Sequence, residues 1–173
     1  MSKKVERGLK MPAEQIMERL MREYGDSVFR MCYLYLKDYY LAEDATQETF
    51  IKAMKSYDSF LHNSNEKTWL IRIAINSCKN IMRTKWFRFP MMNIDDQQYI
   101  ADDHSIEEVA EKDSIVRAIM SLNKSDREII ILYYYQELSV KEISFITGKK
   151  ENAINQQLKR SREKLKNCLK EGL

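Results

Sequence analysis

Glycine and proline are nearly absent from this chain, with 4 and 2 among 173 residues. A fold made of many short strands draws on both at its turns, so their scarcity excludes a turn-rich all-β architecture and favours helices. Histidine is rarer than either chemistry or metal binding would need. His62 and His104 are the only two, both fall in polar stretches, and no motif surrounds either. Clustered acids for a metal, or a nucleophile with a base beside it, are also missing, which argues against an enzyme. The three cysteines, Cys32, Cys78 and Cys168, lie far apart in the chain. Without a CxxC or a Cys/His cluster there is neither a zinc site nor a disulfide framework, and no metal or cofactor is expected. No apolar run approaches the ~18 residues of a membrane span. The polar start Met1–Arg7 is not followed by a signal-peptide core. The chain is therefore expected to be cytoplasmic and not membrane-spanning.

What is present is helical periodicity and an uneven charge. Hydrophobic residues make up 44% and charged residues 32%, with a net charge of only +3. The stretch Lys79–Arg88 carries four basic residues and no acid, Asn93–Ser114 carries eight acids and one lysine, and Gly148–Leu173 carries eight basic residues against three acids. Two basic zones flanking an acidic connector are the footprint of nucleic-acid contact at two places. The expected fold is all-α, with two small helical domains at 12–90 and 105–170 joined by an acidic, flexible linker at 91–104.

Residues 1–11 read as a basic, irregular start, and Pro12 suits the first turn of a helix. Ile16, Leu20, Met21, Tyr24, Val28, Met31, Cys32, Tyr35 and Leu36 recur at helical spacing, with Gly25 expected to kink or break the run. A second helix is expected over about Leu41–Ser56. Its apolar positions Ala42, Ala45, Phe50, Ile51 and Met54 leave Asp44, Gln47 and Glu48 exposed together. Tyr57–Asn65 reads as a loop. A third helix is expected from Glu66 to about Trp86, buried along Trp69, Leu70, Ile73, Ala74, Ser77 and Ile81. Its polar face, Arg72, Asn76, Lys79, Asn80 and Arg83, follows spacings of three and four and so lines one surface. A basic, Asn-bearing helix beside Tyr57, Phe60, His62 and Trp69 suits single-stranded or melted DNA, which needs cations for phosphates and surfaces for unstacked bases. Each of these aromatics is equally at home in a core.

The second half holds three capping-box patterns, Ser105-x-x-Glu108, Ser125-x-x-Glu128 and Ser139-x-x-Glu142, which predict helix starts near 106, 126 and 140. A last helix is expected from about Lys150 to Lys170. Gly148 can supply the left-handed residue that ends the helix before it. Ile143, Ile146, Ile154 and Leu158 would hold these two helices together, with Ser144 small enough for a close crossing. This is helix-turn-helix geometry, whose second helix lies in the major groove. Asn152, Asn155, Gln156, Lys159 and Arg162 lie along its outer side. Asn and Gln suit adenine, and Lys and Arg suit guanine or phosphate.

Three blocks in order then resemble bacterial RNA polymerase sigma factors of the extracytoplasmic-function class within the sigma-70 family. The segment Ala42-Glu-Asp-Ala-Thr-Gln-Glu-Thr-Phe-Ile-Lys-Ala53 resembles their polymerase-binding helix. Thr68–Arg83 resembles the helix that melts and reads the −10 element, and Leu122–Leu165 resembles the −35-reading domain. The resemblance covers about residues 13–170. It implies an alternative sigma factor that binds core RNA polymerase, directs it to −35/−10 promoters and promotes −10 melting. It also implies a set of roles. Asp44, Gln47 and Glu48 would contact the polymerase. Asn76, Lys79, Asn80 and Arg83 would face the −10 strand, with His62 and Asn63 in a loop that holds a flipped base. Asn152, Asn155, Gln156, Lys159, Arg160 and Arg162 would meet the −35 duplex. A further partner implied by the resemblance is an anti-sigma factor, often membrane-anchored. At Asn155 and Gln157 relatives commonly carry Arg or Lys, so phosphate binding is expected to be weaker here.

Overall fold

The computed structural model describes residues 13–60, 65–88 and 114–170. These residues form helices α1 (Ala13–Leu36), α2 (Tyr39–Ser56), α3 (Glu66–Arg88), α4 (Ser114–Ser121), α5 (Lys124–Ile130), α6 (Val140–Thr147) and α7 (Glu151–Lys170). A 3-10 turn at Tyr57–Ser59 follows α2, and a π-helical turn at Ile131–Tyr135 follows α5. No strand occurs among the described residues. The expected linker at 91–104, Pro12, His62, Asn63 and the Ser105 capping pattern lie outside the described residues.

The first three helices pack as a bundle. α1 contributes Leu20, Val28, Met31, Cys32 and Tyr35, and α3 contributes Leu70, Ile71, Ala74, Ile75 and Cys78, all buried. Between them α2 buries mostly small residues, Ala42, Ala45, Thr49 and Ala53, beside Phe50. Small side chains let the helix axes approach closely while the larger neighbours fill the space. Asp38 starts α2 by accepting from the Leu41 amide at 2.9 Å, which satisfies one of the orphan donors of the first turn.

Gly25 does not break α1, which runs continuously through it. A mid-helix glycine costs about 1 kcal/mol relative to alanine. The core contacts of Leu20 and Val28, on either side of it, outweigh that penalty. Ile51 and Met54, expected inside, are instead 47% and 39% exposed. The α2 stripe narrows to its alanines, and both side chains join the outer face that carries Asp44 and Gln47.

In the second half, α5 starts two residues before the expected position. Asn123, not Ser125, is its cap and accepts from the Asp126 amide at 3.0 Å. The Ser125 hydroxyl instead accepts from Gln157 Nε2 at 2.8 Å and Lys149 Nζ at 3.0 Å. The capping box at α6 forms as expected, between Ser139 and Glu142. Gly148 ends α6 with φ 72 and donates its amide to Ser144 O at 2.8 Å. Ile143 and Ile146 of α6 pack with Ile154 and Leu158 of α7.

The two halves are not separate beads. One cluster of buried apolar residues runs from α1–α3 into Leu122, Ile129–Leu132, Leu138 and the α6–α7 contact. Arg127, 3% exposed, extends from α5 and donates to Leu122 O at 2.9 Å, Met120 O at 3.2 Å and Tyr35 O at 3.1 Å, the last across the seam at the end of α1.

The turn at Gly148 fixes how α7 leaves α6. A Gly148→Ala variant meets no steric obstacle in its surroundings, but must hold a left-handed backbone, which costs about 1 kcal/mol. A melting temperature lower by about 2–4 °C is expected in thermal denaturation.

Candidate nucleic-acid interface

The polar face of α3 depends on how its first turn is held. Arg19 of α1 donates to Glu66 Oε1 at 2.6 Å, and the Tyr57 hydroxyl donates to the same oxygen at 2.6 Å. This hydrogen bond to Glu66 raises the pKa of Tyr57 above the ordinary phenol value, with burial adding to the effect. Phe60 and Trp69 meet with ring centroids 4.9 Å apart, and Tyr57 sits edge-on to Trp69 at 5.8 Å. The sequence offered these aromatics both as core and as base platforms; here they pack chiefly on one another. They lock residues 57–60 to the start of α3.

Of the −10 candidates, Asn76 and Arg83 are exposed, while Lys79 and Asn80 are half-buried. Arg83 donates to Asn80 Oδ1 at 3.2 Å. Lys79 pairs with Glu128 of α5 at 2.7 Å, a carboxylate whose side chain is only 8% exposed. Arg72, on the same face, has its guanidinium 4.4 Å from the centre of the Phe145 ring of α6.

The face continues upward into a second contact with α6. Glu142 divides its carboxylate between two tasks. One oxygen, Oε2, closes the α6 capping box by accepting from the Ser139 amide at 2.9 Å and hydroxyl at 2.7 Å. The other, Oε1, accepts from Thr68 Oγ1 at 2.6 Å and Asn65 Nδ2 at 2.9 Å on α3. Burial alone would push this carboxyl up, but the donors from Thr68, Ser139 and Asn65 outweigh it and hold the group below the usual glutamate range. Lys67 Nζ donates to Gln136 O at 2.7 Å, and Ser27 donates to Gln136 Oε1 at 3.1 Å. No local sequence pattern encodes these cross-seam bonds.

On α7 the outcome is simpler. Asn152, Asn155, Gln156, Lys159 and Arg160 are all exposed, and the first four share one face at spacings of three and four. Arg162 is exposed too, but it turns toward an apolar trough between α4 and α7. Ile115, Ile119, Tyr134, Leu165 and Leu169 line that trough, with Lys166 and Lys170 beside it. Gln157, counted above as a missing cation, is buried at 7% exposure. It donates to Asp126 Oδ1 at 3.1 Å as well as to Ser125, so an arginine or lysine here would not reach DNA from this position. Only Asn155 of the two departures lies on the outer face.

On α2, Asp44 and Gln47 are exposed, and Glu48 pairs with Lys52 one turn on at 2.6 Å. The exposed Tyr40, Ile51 and Met54 sit on the same side. Among the described residues no group of His, Cys, Asp and Glu could hold a metal ion. No helix there is long and apolar enough to cross a membrane.

Comparison with known proteins places these features in context. Residues 20–88 match the family described as Sigma-70 region 2, and residues 112–165 match Sigma-70, region 4. The ECF RNA polymerase sigma factor SigW of Bacillus subtilis is 30% identical over 163 residues, spanning 86% of this chain and 86% of SigW. The ECF RNA polymerase sigma factor BldN of Streptomyces coelicolor is 29% identical over 142 residues, covering 79% of this chain but only 53% of BldN, so the chain spans about half of that relative's length. Among solved structures, the sigma factor RpoE of Bartonella quintana, in complex with the anti-sigma factor NepR, has the same fold. Its TM-score is 0.73 at 23% identity, covering 92% of this chain and 99% of that one.

Asp126 anchors the base of α7. Burial would raise its pKa, but bonds from Lys164 (2.6 Å), Gln157 and Asn123 outweigh that and depress it. A carboxyl depressed in the folded state contributes stability above its unfolded pKa and loses it as pH falls through the folded value. Asp126→Asn is therefore expected to cost about 2 kcal/mol at pH 7. In urea unfolding the gap to wild type should close as the pH drops below about 4.

Proposed function

This chain belongs to the extracytoplasmic-function class of RNA polymerase sigma factors, and from that premise we propose how its surfaces divide the work. The outer face of α2, with Asp44, Gln47 and Glu48, binds core polymerase. Asn76, Lys79, Asn80 and Arg83 on α3 meet the non-template strand of the −10 element, with His62 and Asn63 at a flipped base. Extracting a base from the stack costs a few kcal/mol, which contacts to the strand must offset. Asn152, Asn155, Gln156, Lys159 and Arg160 read or position the −35 duplex, Arg162 being turned to the α4–α7 trough; the two domains are bounded near 12–90 and 105–170. The chain supplies no reaction chemistry of its own; it recruits the polymerase and places it.

The observation that carries this reading is the joint presence of both family regions, in order, on helices that present a polar, basic outer face. Each DNA module alone offers a small interface, so tight promoter choice depends on polymerase holding both at once. The relative of similar fold was captured with an anti-sigma factor. We extend that mode of control to this chain, with the cytoplasm as its place of action and a membrane-anchored partner as one form of restraint.

The decisive experiment reconstitutes the chain with bacterial core polymerase free of other sigma factors, adds fragmented genomic DNA and sequences the transcripts. Discrete start sites sharing two upstream motifs are expected. Absence of transcripts and of co-elution with core, together with tight DNA binding by the free chain, would instead identify a stand-alone regulator. Within the same assay Asp44→Arg/Glu48→Arg should abolish co-elution while leaving the thermal melt unchanged. Asn155→Ala/Gln156→Ala should lower specific transcripts about tenfold, the effect of losing one good base contact.

A further inference from the structure

A helix reads bases only if it is held at one rotation about its own axis. The buried residues of α7 are Ile154, Gln157, Leu158 and Ser161, so half of its inner face is polar. Ser161 contributes little to the hold, since its hydroxyl has no hydrogen-bond partner among the described residues. Gln157 contributes the most directional contacts. Its Nε2 donates to Ser125 Oγ at 2.8 Å and Asp126 Oδ1 at 3.1 Å, while its Oε1 accepts from Lys149 Nζ at 2.9 Å. Lys149 Nζ also donates to Ser125 Oγ at 3.0 Å. Two turns further along α7, Lys164 donates to the other Asp126 oxygen, Oδ2, at 2.6 Å, and Asn123 donates to it at 2.8 Å. One carboxylate of α5 thus grips α7 at two heights, and Gln157 ties that grip to the turn before the helix.

We propose that Gln157 is a positioning residue for −35 reading: its bonds to Asp126, Ser125 and Lys149 set the rotation of α7 and so decide which base edges Asn155 and Gln156 reach. The inference rests on the reading of α7 as the −35 helix. Gln157 is buried and meets no DNA, whereas its neighbours Asn155 and Gln156 are exposed. Apolar contacts such as those of Ile154 and Leu158 are non-directional, but hydrogen bonds weaken steeply with angle. Turning α7 by about 20° would carry a side-chain end ~6 Å from the axis through about 2 Å, more than a bidentate base contact tolerates. An amide suits the position because one end donates to a carboxylate while the other accepts from an ammonium. Arginine or lysine could only donate, and would set a second cation against Lys149.

The test assembles full-length chains with core polymerase on a promoter library whose −35 region is randomised, and sequences the transcripts. The chains are wild type, Gln157→Met, Gln157→Glu and Asp126→Asn/Gln157→Glu. Gln157→Met keeps the length and removes both polar ends. Gln157→Glu keeps the acceptor for Lys149 but sets a carboxylate against Asp126. In the double variant donor and acceptor change sides, so the bond re-forms with the amide on α5. Thermal melts show which variants fold. Wild type is expected to prefer its best base about tenfold at the positions met by Asn155 and Gln156. Both single variants should reduce this to about threefold or change the preferred base, and the double variant should return to within about twofold of wild type. A wild-type base profile in Gln157→Met overturns the proposal even if total transcripts fall, because a uniform loss marks a structural role alone. A double variant no better than Gln157→Glu also overturns it, and this pair decides the matter if Gln157→Met does not fold. Wild type alone reports on the underlying reading: initiation without any preference in the randomised region ends the −35 assignment and this inference with it, whereas failed variants beside a selective wild type end the inference only.

Discussion

Helix α3 is held on two sides at once. One side supplies Leu70, Ile71, Ala74, Ile75 and Cys78 to the core of the first three helices, and these are buried almost completely. Its other side is polar, and that side carries the seam to the second half. A helix in this position cannot tilt or rotate to serve one partner without disturbing the other, because its buried stripe is close-packed and a small rotation would open voids. On the polar face, Asn76 and Arg83 are exposed, while Asn65, Thr68, Arg72 and Lys79 are engaged by the second half. Most of what is distinctive in the structure follows from that constraint.

The seam is built accordingly. It has an apolar floor, since the buried cluster is continuous across it, but its edge against α3 is a line of charged and polar pairs. Such pairs are replaceable: water or phosphate can satisfy Lys79, Thr68 and Asn65 as well as a carboxylate can, so the net stabilisation from each is modest. An edge of leucines would have no comparable substitute partner on opening. Glu142 links this edge to the helix-turn-helix itself, because one oxygen caps α6 while the other holds α3. The cap survives separation and the α3 bonds do not, so α6 loses no capping group when the halves part. Arg127 is the exception. The residue is 3% exposed and its guanidinium reaches Tyr35 O, and a buried cation that loses an acceptor is costly unless water replaces it. Opening at this end is therefore the more expensive step.

How far the sequence revealed these features depends on the range of the interaction. Helices with strong 3.6-residue periodicity, the Ser139–Glu142 cap and the left-handed Gly148 were legible, because all are decided within a few residues. The start of α5 was not. Asn123 and Ser125 are both good caps, and the choice fell to Asn123 because Ser125 is held by Gln157 and Lys149 from α7. Residue type points Ile51 and Met54 inward, but burial is set by what packs above them, and among the described residues nothing covers them. The resemblance implies a missing cation at Gln157, but its bonds to Asp126 and Ser125 hold it inside, and these partners lie 31 and 32 residues away in sequence, beyond any local pattern. The pairing of Lys79 with Glu128 joins residues 49 positions apart, and no local pattern encodes it. His62 and Asn63 lie outside the described residues, so for them the sequence remains the sole guide.

The placement of the remaining surfaces suggests an order of events. With α3 covered, the outer face of α2 is still open, and there Asp44 and Gln47 stand among Tyr40, Ile51 and Met54, whose exposures are 57%, 47% and 39%. Apolar side chains flanked by acids make a better protein-binding surface than acids alone, because burial supplies affinity and charge supplies orientation. On the proposed assignment of this face to polymerase, that contact needs no rearrangement of the seam. A partner gripping α2 holds the first half by its core, since Ala42, Ala45 and Phe50 tie α2 to α1 and α3. If the same partner also engages the second half, the two attachments act on opposite sides of the polar edge. On the proposed assignments, the outer face of α2 is accessible while the seam is closed, whereas Lys79, Thr68 and Asn65 are engaged by the second half.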